Sequence, residues 1–131
     1  MKKSWVGHRL VTTPNHLALD GLRILDLSQV AAGPYATMFF GYMGAEVIKV
    51  ESHSREGTEN RGEAFQVLQR NRLGVTVNLR ATGGLELFKN LIMVCDVLME
   101  NNRAGTFARL GLGYDVVRKA NPTIIMLSNT G

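Results

Sequence analysis

Residues 22–51 read LRILDLSQVAAGPYATMFFGYMGAEVIKVE, and the order of patterns within them decides the fold. Leu22–Ser28 is a short β-rich run with Gly21 in front of it. Gly33-Pro34 follows, where glycine accepts unusual backbone angles and proline suits a first helical turn. Tyr35–Met43 is mostly apolar, has helical length and stops at Gly44, the place of a C′ glycine. Ala45–Glu51 (AEVIKVE) is β-rich again. Strand, tight turn, helix and strand within about 30 residues make a βαβ unit, which requires a parallel pair and a right-handed crossover.

Downstream the alternation continues. Ser52–Gly62 is polar and charged, a loop, and Ala64–Gln69 fits a helical turn. Gly74–Leu79 (GVTVNL) alternates and is β-branched, a third strand. Thr82 is placed to cap a helix running through Cys95, with Leu85, Phe88, Ile92 and Cys95 on one face. Asp96–Glu100 (DVLME) reads as a fourth strand, Thr106–Leu110 and Tyr114–Ala120 as short helices, and Thr123–Ser128 (TIIMLS) as a fifth strand. Strands alternating with helices throughout predict an open, doubly wound, mostly parallel α/β sheet. Upstream, residues 1–19 lack periodicity and carry the loop-like cluster Thr12, Thr13, Pro14 and Asn15. They are expected to be an N-terminal extension or edge-covering arm, with 20–131 as the nucleotide-fold segment.

Composition narrows the function. The 131 residues can bury a core, and 45% apolar with 20% charged residues is ordinary for a globular domain. A formal charge of +4 favours anionic partners, although on charge alone an ordinary solvated basic surface is the preferred reading. No window packs five or six basic residues together, so a nucleic-acid arm is not expected. The single cysteine, Cys95, excludes an intrachain disulfide and fits a reducing compartment. Lys2 and Lys3 have no continuous apolar run behind them, so no signal peptide is read. The uncharged stretch Val30–Ala45 is shorter than the roughly 20 residues of a membrane helix. The expected location is cytoplasmic, with no membrane partner.

In such a sheet, ligands bind beyond the carboxyl ends of the strands. That edge carries Ser28–Pro34, Glu51, Arg80, Glu100–Arg103 and Ser128–Gly131. The turn Val30-Ala31-Ala32-Gly33-Pro34 enters a helix N-terminus, where an anion or a polarised carbonyl can be received. Glu51 ends the second strand near where an acid would meet a ribose hydroxyl, which invites a dinucleotide reading. The G-x-G-x-x-G pattern is absent, however, and Pro34 removes a donor, so that reading is set aside. Glu51, Glu100 and Asp26 read as structural carboxylates rather than an acid–base pair. His8, His16 and His53 are isolated, so no metal site is expected. Ser28 has no G-x-S-x-G elbow and indicates no hydrolase triad. Arg70, Arg72, Arg80, Arg103 and Arg109 fall at or near loops, and guanidinium forks match phosphate oxygens. Several of them are expected to be ordinary surface residues, and at most two or three to touch ligand.

Read in order, LDGLRILDLSQVAAGPYATMFFGYMGAEVIKVE, NRLGVTVNL and DVLMENNRAGTFARLGLGYDVVRKANPTIIMLSNTG resemble the family III (CaiB/BaiF-type) CoA-transferases. The resemblance runs from Leu19 to Gly131 and rests most on AGPYAT, GAEVIKVE and RLGLGY with NP after it. It implies the N-terminal part of a large Rossmann-like domain that takes coenzyme A or an acyl-CoA, with a carboxylic acid as acceptor. It implies interlocked homodimers for complete members. It implies CoA contacts at Asn71, Arg72, Asn101, Arg103 and Arg109, with Ala31 and Ala32 in the turn that faces the thioester. The reaction it implies is attack by an aspartate on the thioester, giving a mixed anhydride and then an aspartyl-CoA thioester. That aspartate belongs several tens of residues past the position matching Gly131, so none of the four aspartates here is expected to be the nucleophile.

Two alternatives stay open at this stage: a non-catalytic CoA-binding or assembly fragment, and a piece of an α-methylacyl-CoA racemase, a relative in the same family. There are departures too. Asn102 and Ala104 stand where the family has phenylalanine and proline, which implies a looser loop. Ser52 replaces a basic residue after VIKVE, and Arg72-Leu73-Gly74 replaces K-R-S.

Overall fold

The computed structural model describes residues 16–52 and 62–129. Ten elements follow in order: β1 (Arg23–Asp26), α1 (Ala32–Tyr42), β2 (Glu46–Glu51), α2 (Gly62–Leu68), β3 (Leu73–Thr76), α3 (Gly84–Met93), β4 (Val97–Glu100), α4 (Thr106–Arg109), α5 (Tyr114–Ala120) and β5 (Ile125–Ser128). The sheet order is β3-β2-β1-β4-β5 and every pairing is parallel. The expected doubly wound architecture is therefore present, with all five strands running one way.

Strand alternation sends side chains to two different layers. Leu25, Leu27, Val50, Val77 and Leu98 meet Phe88 and Ile92 of α3, Phe107 of α4 and Val117 of α5 in the larger core. Ile24, Val47 and Met99 face the other way, packing with Ala45 and with the half-buried Ala36 and Phe40 of α1. Chain direction explains the division. The crossovers from β1 to β2 and from β2 to β3 move toward one side of the sheet, and those from β3 to β4 and from β4 to β5 toward the other. A constant right-handed crossover then puts the two sets of helices on opposite faces.

Most boundaries shift from the sequence-based expectation by a residue or two, α3 for instance ending at Met93 short of Cys95, and three shifts have a clear physical reason. Thr82 does not cap α3: the cap is Gly83 in the left-handed region (φ 81°), with no side-chain capping bond. The chain from Asn78 to Gly84 folds too tightly for an earlier start, since a Cβ on Gly84 would overlap the Asn78 carbonyl. The third strand ends at Thr76 rather than Leu79 because Asn78 turns the chain, its Oδ1 accepting from Arg80 N–H (3.0 Å). The first helix begins at Ala32, so Pro34 lies inside its first turn, where a missing N–H costs nothing. Gly44 does take the left-handed conformation (φ 104°) directly after α1. The 1–19 arm falls mostly outside the described residues. Its last part packs back on α1, with Leu19 N–H donating to Met43 O (2.8 Å).

Candidate functional site

The sheet order reverses between β1 and β4, so the chains leaving these two strands diverge and open a crevice at their carboxyl ends. Side chains tie the two departing loops together. Gln29 N–H donates to Asn101 Oδ1 (2.6 Å), and Asn101 Nδ2 donates back to Gln29 O (2.7 Å). Beside this clasp lies a cavity of about 270 Å³. Its walls come from four strand ends and α4: Leu27 and Gln29, Glu51 and Ser52, Val77 to Arg80, Asn102, Phe107 and Leu110. An apolar floor (Leu27, Val50, Val77) beneath a polar rim that includes an exposed arginine, Arg80, suits a ligand with a flat apolar part and an anionic part.

Next to the cavity, the β1–α1 turn is held from below by buried charge. Asp26 is fully buried, and both of its carboxylate oxygens are engaged. Oδ1 accepts from Ser28 N–H (2.7 Å) and from the Ser28 hydroxyl. Oδ2 accepts from Thr37 Oγ1 (2.8 Å) and Arg72 Nη1 (3.2 Å), with Lys49 Nζ at 3.6 Å. Lys49 Nζ also donates to Ser28 O, and Arg72 Nη2 to Pro34 O (2.7 Å). Burial pushes the Lys49 ammonium below its ordinary value, and Asp26 opposes that shift. Burial likewise lowers Arg72, again against Asp26. Arg72 Nε and Gln69 Nε2 are buried donors with no acceptor among the described residues. Above this base, Val30 holds a left-handed conformation (φ 65°), an unusual state for a β-branched residue.

The expected site residues are thus distributed over two edges. Ala31 and Ala32 are exposed at the start of α1, and Ala31, as the cap residue, offers no side chain to the first-turn N–H groups. Asn101 and exposed Arg103 share that edge, Asn101 as half of the clasp. Arg109 is exposed on α4, one residue from the cavity wall, and donates to Thr106 Oγ1 (3.0 Å). Asn71 and Arg72 enter β3 from the opposite edge and line a shallow groove there with Ala45, Glu46, Val47 and Leu73. From that edge the Arg72 side chain, 3% exposed, runs inward to Asp26. Asn102 does not leave its loop untied, since its N–H (2.8 Å) and Nδ2 (3.0 Å) both donate to the buried Glu100 carboxylate. In the sequence Gln29 stands out only as part of the edge segment Ser28–Pro34, and Lys49 is not singled out. Lys49 did carry a signal, being a lone cation inside the apolar strand EVIKVE, where it has to find a buried counter-charge.

No group of three or more His, Cys, Asp or Glu that could hold a metal occurs among the described residues. No described helix is long and apolar enough to cross a membrane.

Comparison with known proteins identifies the family. The chain is 38% identical over 136 residues to the human succinyl-CoA:glutarate CoA-transferase, a match covering 97% of this chain and 31% of that one. It is 42% identical over 128 residues to the beta subunit of succinyl-CoA–L-malate CoA-transferase of Chloroflexus aurantiacus, covering 91% and 32%. A CaiB/BaiF family protein from Brucella suis superposes with a TM-score of 0.81 at 31% identity, over 89% of this chain and 34% of that one. The chain therefore spans about a third of the length of each. The family model described as CoA-transferase family III matches residues 19–131, which begins just ahead of β1 and takes in the clasp, the cavity wall and the buried cluster, and so the chain belongs to CoA-transferase family III.

Proposed function

We propose that this chain is the coenzyme A-holding portion of an enzyme that moves CoA between an acyl-CoA and a carboxylic acid. The observation that carries the reading is the cavity at the β1/β4 crevice, with an apolar floor and Arg80 on its rim, in a chain of this family. In this reading the nucleotide end of CoA lies over the cavity, and Arg80, Arg103 and Arg109 supply charge for its phosphates. The thioester end reaches Ala31 and Ala32, where the positive end of the α1 dipole favours a polarised carbonyl oxygen. Asn101 shapes the crevice through Gln29, and Arg72 supports the turn from inside instead of meeting a phosphate.

The carboxylate nucleophile that would take the acyl group as a mixed anhydride, and then CoA as a thioester, is supplied from outside these 131 residues. A homodimer of the complete enzyme belongs to the same proposal. Succinyl-CoA and short dicarboxylates, named for the relatives above, are the first substrates to try.

Calorimetric titration of the 131-residue chain tests this. Saturable binding of CoA without binding of NAD is expected, and Arg80→Ala is expected to raise the Kd by roughly tenfold, as loss of a charged hydrogen bond implies. Succinyl-CoA mixed with the chain and glutarate should yield no glutaryl-CoA. Equal NAD binding, an unchanged Kd in the variant or transfer by the chain alone would each overturn the reading.

A further inference from the structure

We propose that the buried Asp26–Lys49–Arg72 cluster is a positioning device that holds the β1–α1 turn in the shape in which Ala31 and Ala32 meet the ligand. This rests on the functional reading above for the identity of the ligand, though not for the clamp itself.

The bonds of the cluster bracket the turn. Ser28 is gripped at its N–H and hydroxyl by Asp26 and at its carbonyl by Lys49. On the far side, the Pro34 carbonyl is held by Arg72 and the Thr37 hydroxyl by Asp26. Residues 29–33 are therefore suspended between two charged anchors, and Val30 lies in the middle in its left-handed state. A strained residue persists only where its surroundings over-determine it, and these anchors do so. Gly33 completes the fit, because it passes against Ser28 with no room for a Cβ.

Cohesion alone does not account for the cluster. Two cations and one carboxylate under a helix carry a large desolvation cost, and well-packed apolar residues would hold α1 to the sheet at least as firmly. What apolar residues could not do is direct hydrogen bonds to Ser28 O and Pro34 O, the backbone on either side of the turn. The cluster fixes geometry at a site that a ligand has to meet.

Amide hydrogen exchange and CoA calorimetry on four proteins test this: the unaltered chain, Arg72→Lys, Thr37→Val and Thr37→Ser. Lysine keeps the charge of Arg72 but cannot reach Asp26 and Pro34 O together. Valine keeps the shape of Thr37 without the hydroxyl, which serine restores. In Arg72→Lys and Thr37→Val, the hydrogen-bonded amides that bracket the turn, those of Ser28, Gln29 and Tyr35, are expected to exchange roughly tenfold faster, the scale of one lost bond to a charged group, while Phe88, Ile92 and Leu98 keep their protection. The Kd for CoA should rise by a similar factor, and Thr37→Ser should stay near the unaltered chain. Should Arg72→Lys fail to fold, the Thr37 pair decides. Exchange that rises everywhere together, or nowhere, overturns the positioning role. Faster exchange confined to the turn, with no CoA binding by any of the four, overturns the functional reading and leaves the clamp standing.

Discussion

Cys95 shows how burial turns a reactive residue into a packing one. It is 3% exposed, inside the core of α3 and β4, and burial pushes its thiol up to about 11. A thiolate reagent at pH 8 should therefore label the chain only as fast as it unfolds, and rapid labelling under native conditions would contradict this placement. The sign of the pH effect follows from linkage. Between the ordinary thiol value and 11 the unfolded chain has released its proton and the folded chain has not, so Cys95 stabilises below that window and ceases to as pH rises through it. The unaltered chain should lose up to about 2 kcal/mol relative to Cys95→Ala between pH 8 and 11, measured by denaturant midpoints at each pH. At this scale the buried thiol was legible, because the sequence sets Cys95 on the apolar face with Leu85, Phe88 and Ile92. The role of Arg72 was not. A loop arginine beside a strand suits a phosphate equally well, and nothing local in the sequence brings Asp26 of another strand within its reach.

The βαβ element was legible for a different reason. Its alternation, its Gly33-Pro34 turn and its Gly44 stop are local signals, and β1, α1 and β2 occur in the order and region those signals give, with α1 starting earlier, at Ala32. The start of α3 was not legible, because it depends on how close Asn78 comes to Gly84 in space. Two glycines make the same contrast testable. A Cβ on Gly33 would collide with Ser28, so Gly33→Ala is expected to cost at least about 2 kcal/mol or to prevent folding. Gly74, in edge strand β3, has nothing within 4 Å of where an alanine methyl group would sit and no positive φ, so Gly74→Ala should be neutral or add up to about 1 kcal/mol. Urea midpoints for both variants decide the matter. A tolerated Gly33→Ala would mean that the turn is looser than the clamp requires.

At the scale of the molecule, the right-handed crossovers leave one region bare. The α1 layer covers β1 and β2, but Ile125 and Leu127 of β5 share its face of the sheet with Val97 and Met99 and remain 61% and 43% exposed. Edge strand β5 adds an open row of backbone groups beside them. Concentration-dependent association is expected in light scattering, reduced by Leu127→Lys, and a clean monomer at every concentration would contradict it. Sheet order and site edge follow from the crossover rule and so were implicit in the sequence, whereas the cavity itself forms only when four strand ends and α4 converge. Cavity, clasp and clamp all bear on one proposal, that coenzyme A lies across that carboxyl edge. Its most direct test is a coenzyme A titration of isotope-labelled chain followed by backbone amide chemical shifts. Shifts are expected to concentrate at Gln29–Ala32, Arg80 and Asn101–Arg103, with Glu46, Asn71 and Leu73 on the opposite edge unmoved. Shifts centred on Glu46, Asn71 and Leu73 instead, or none at saturating coenzyme A, would contradict it.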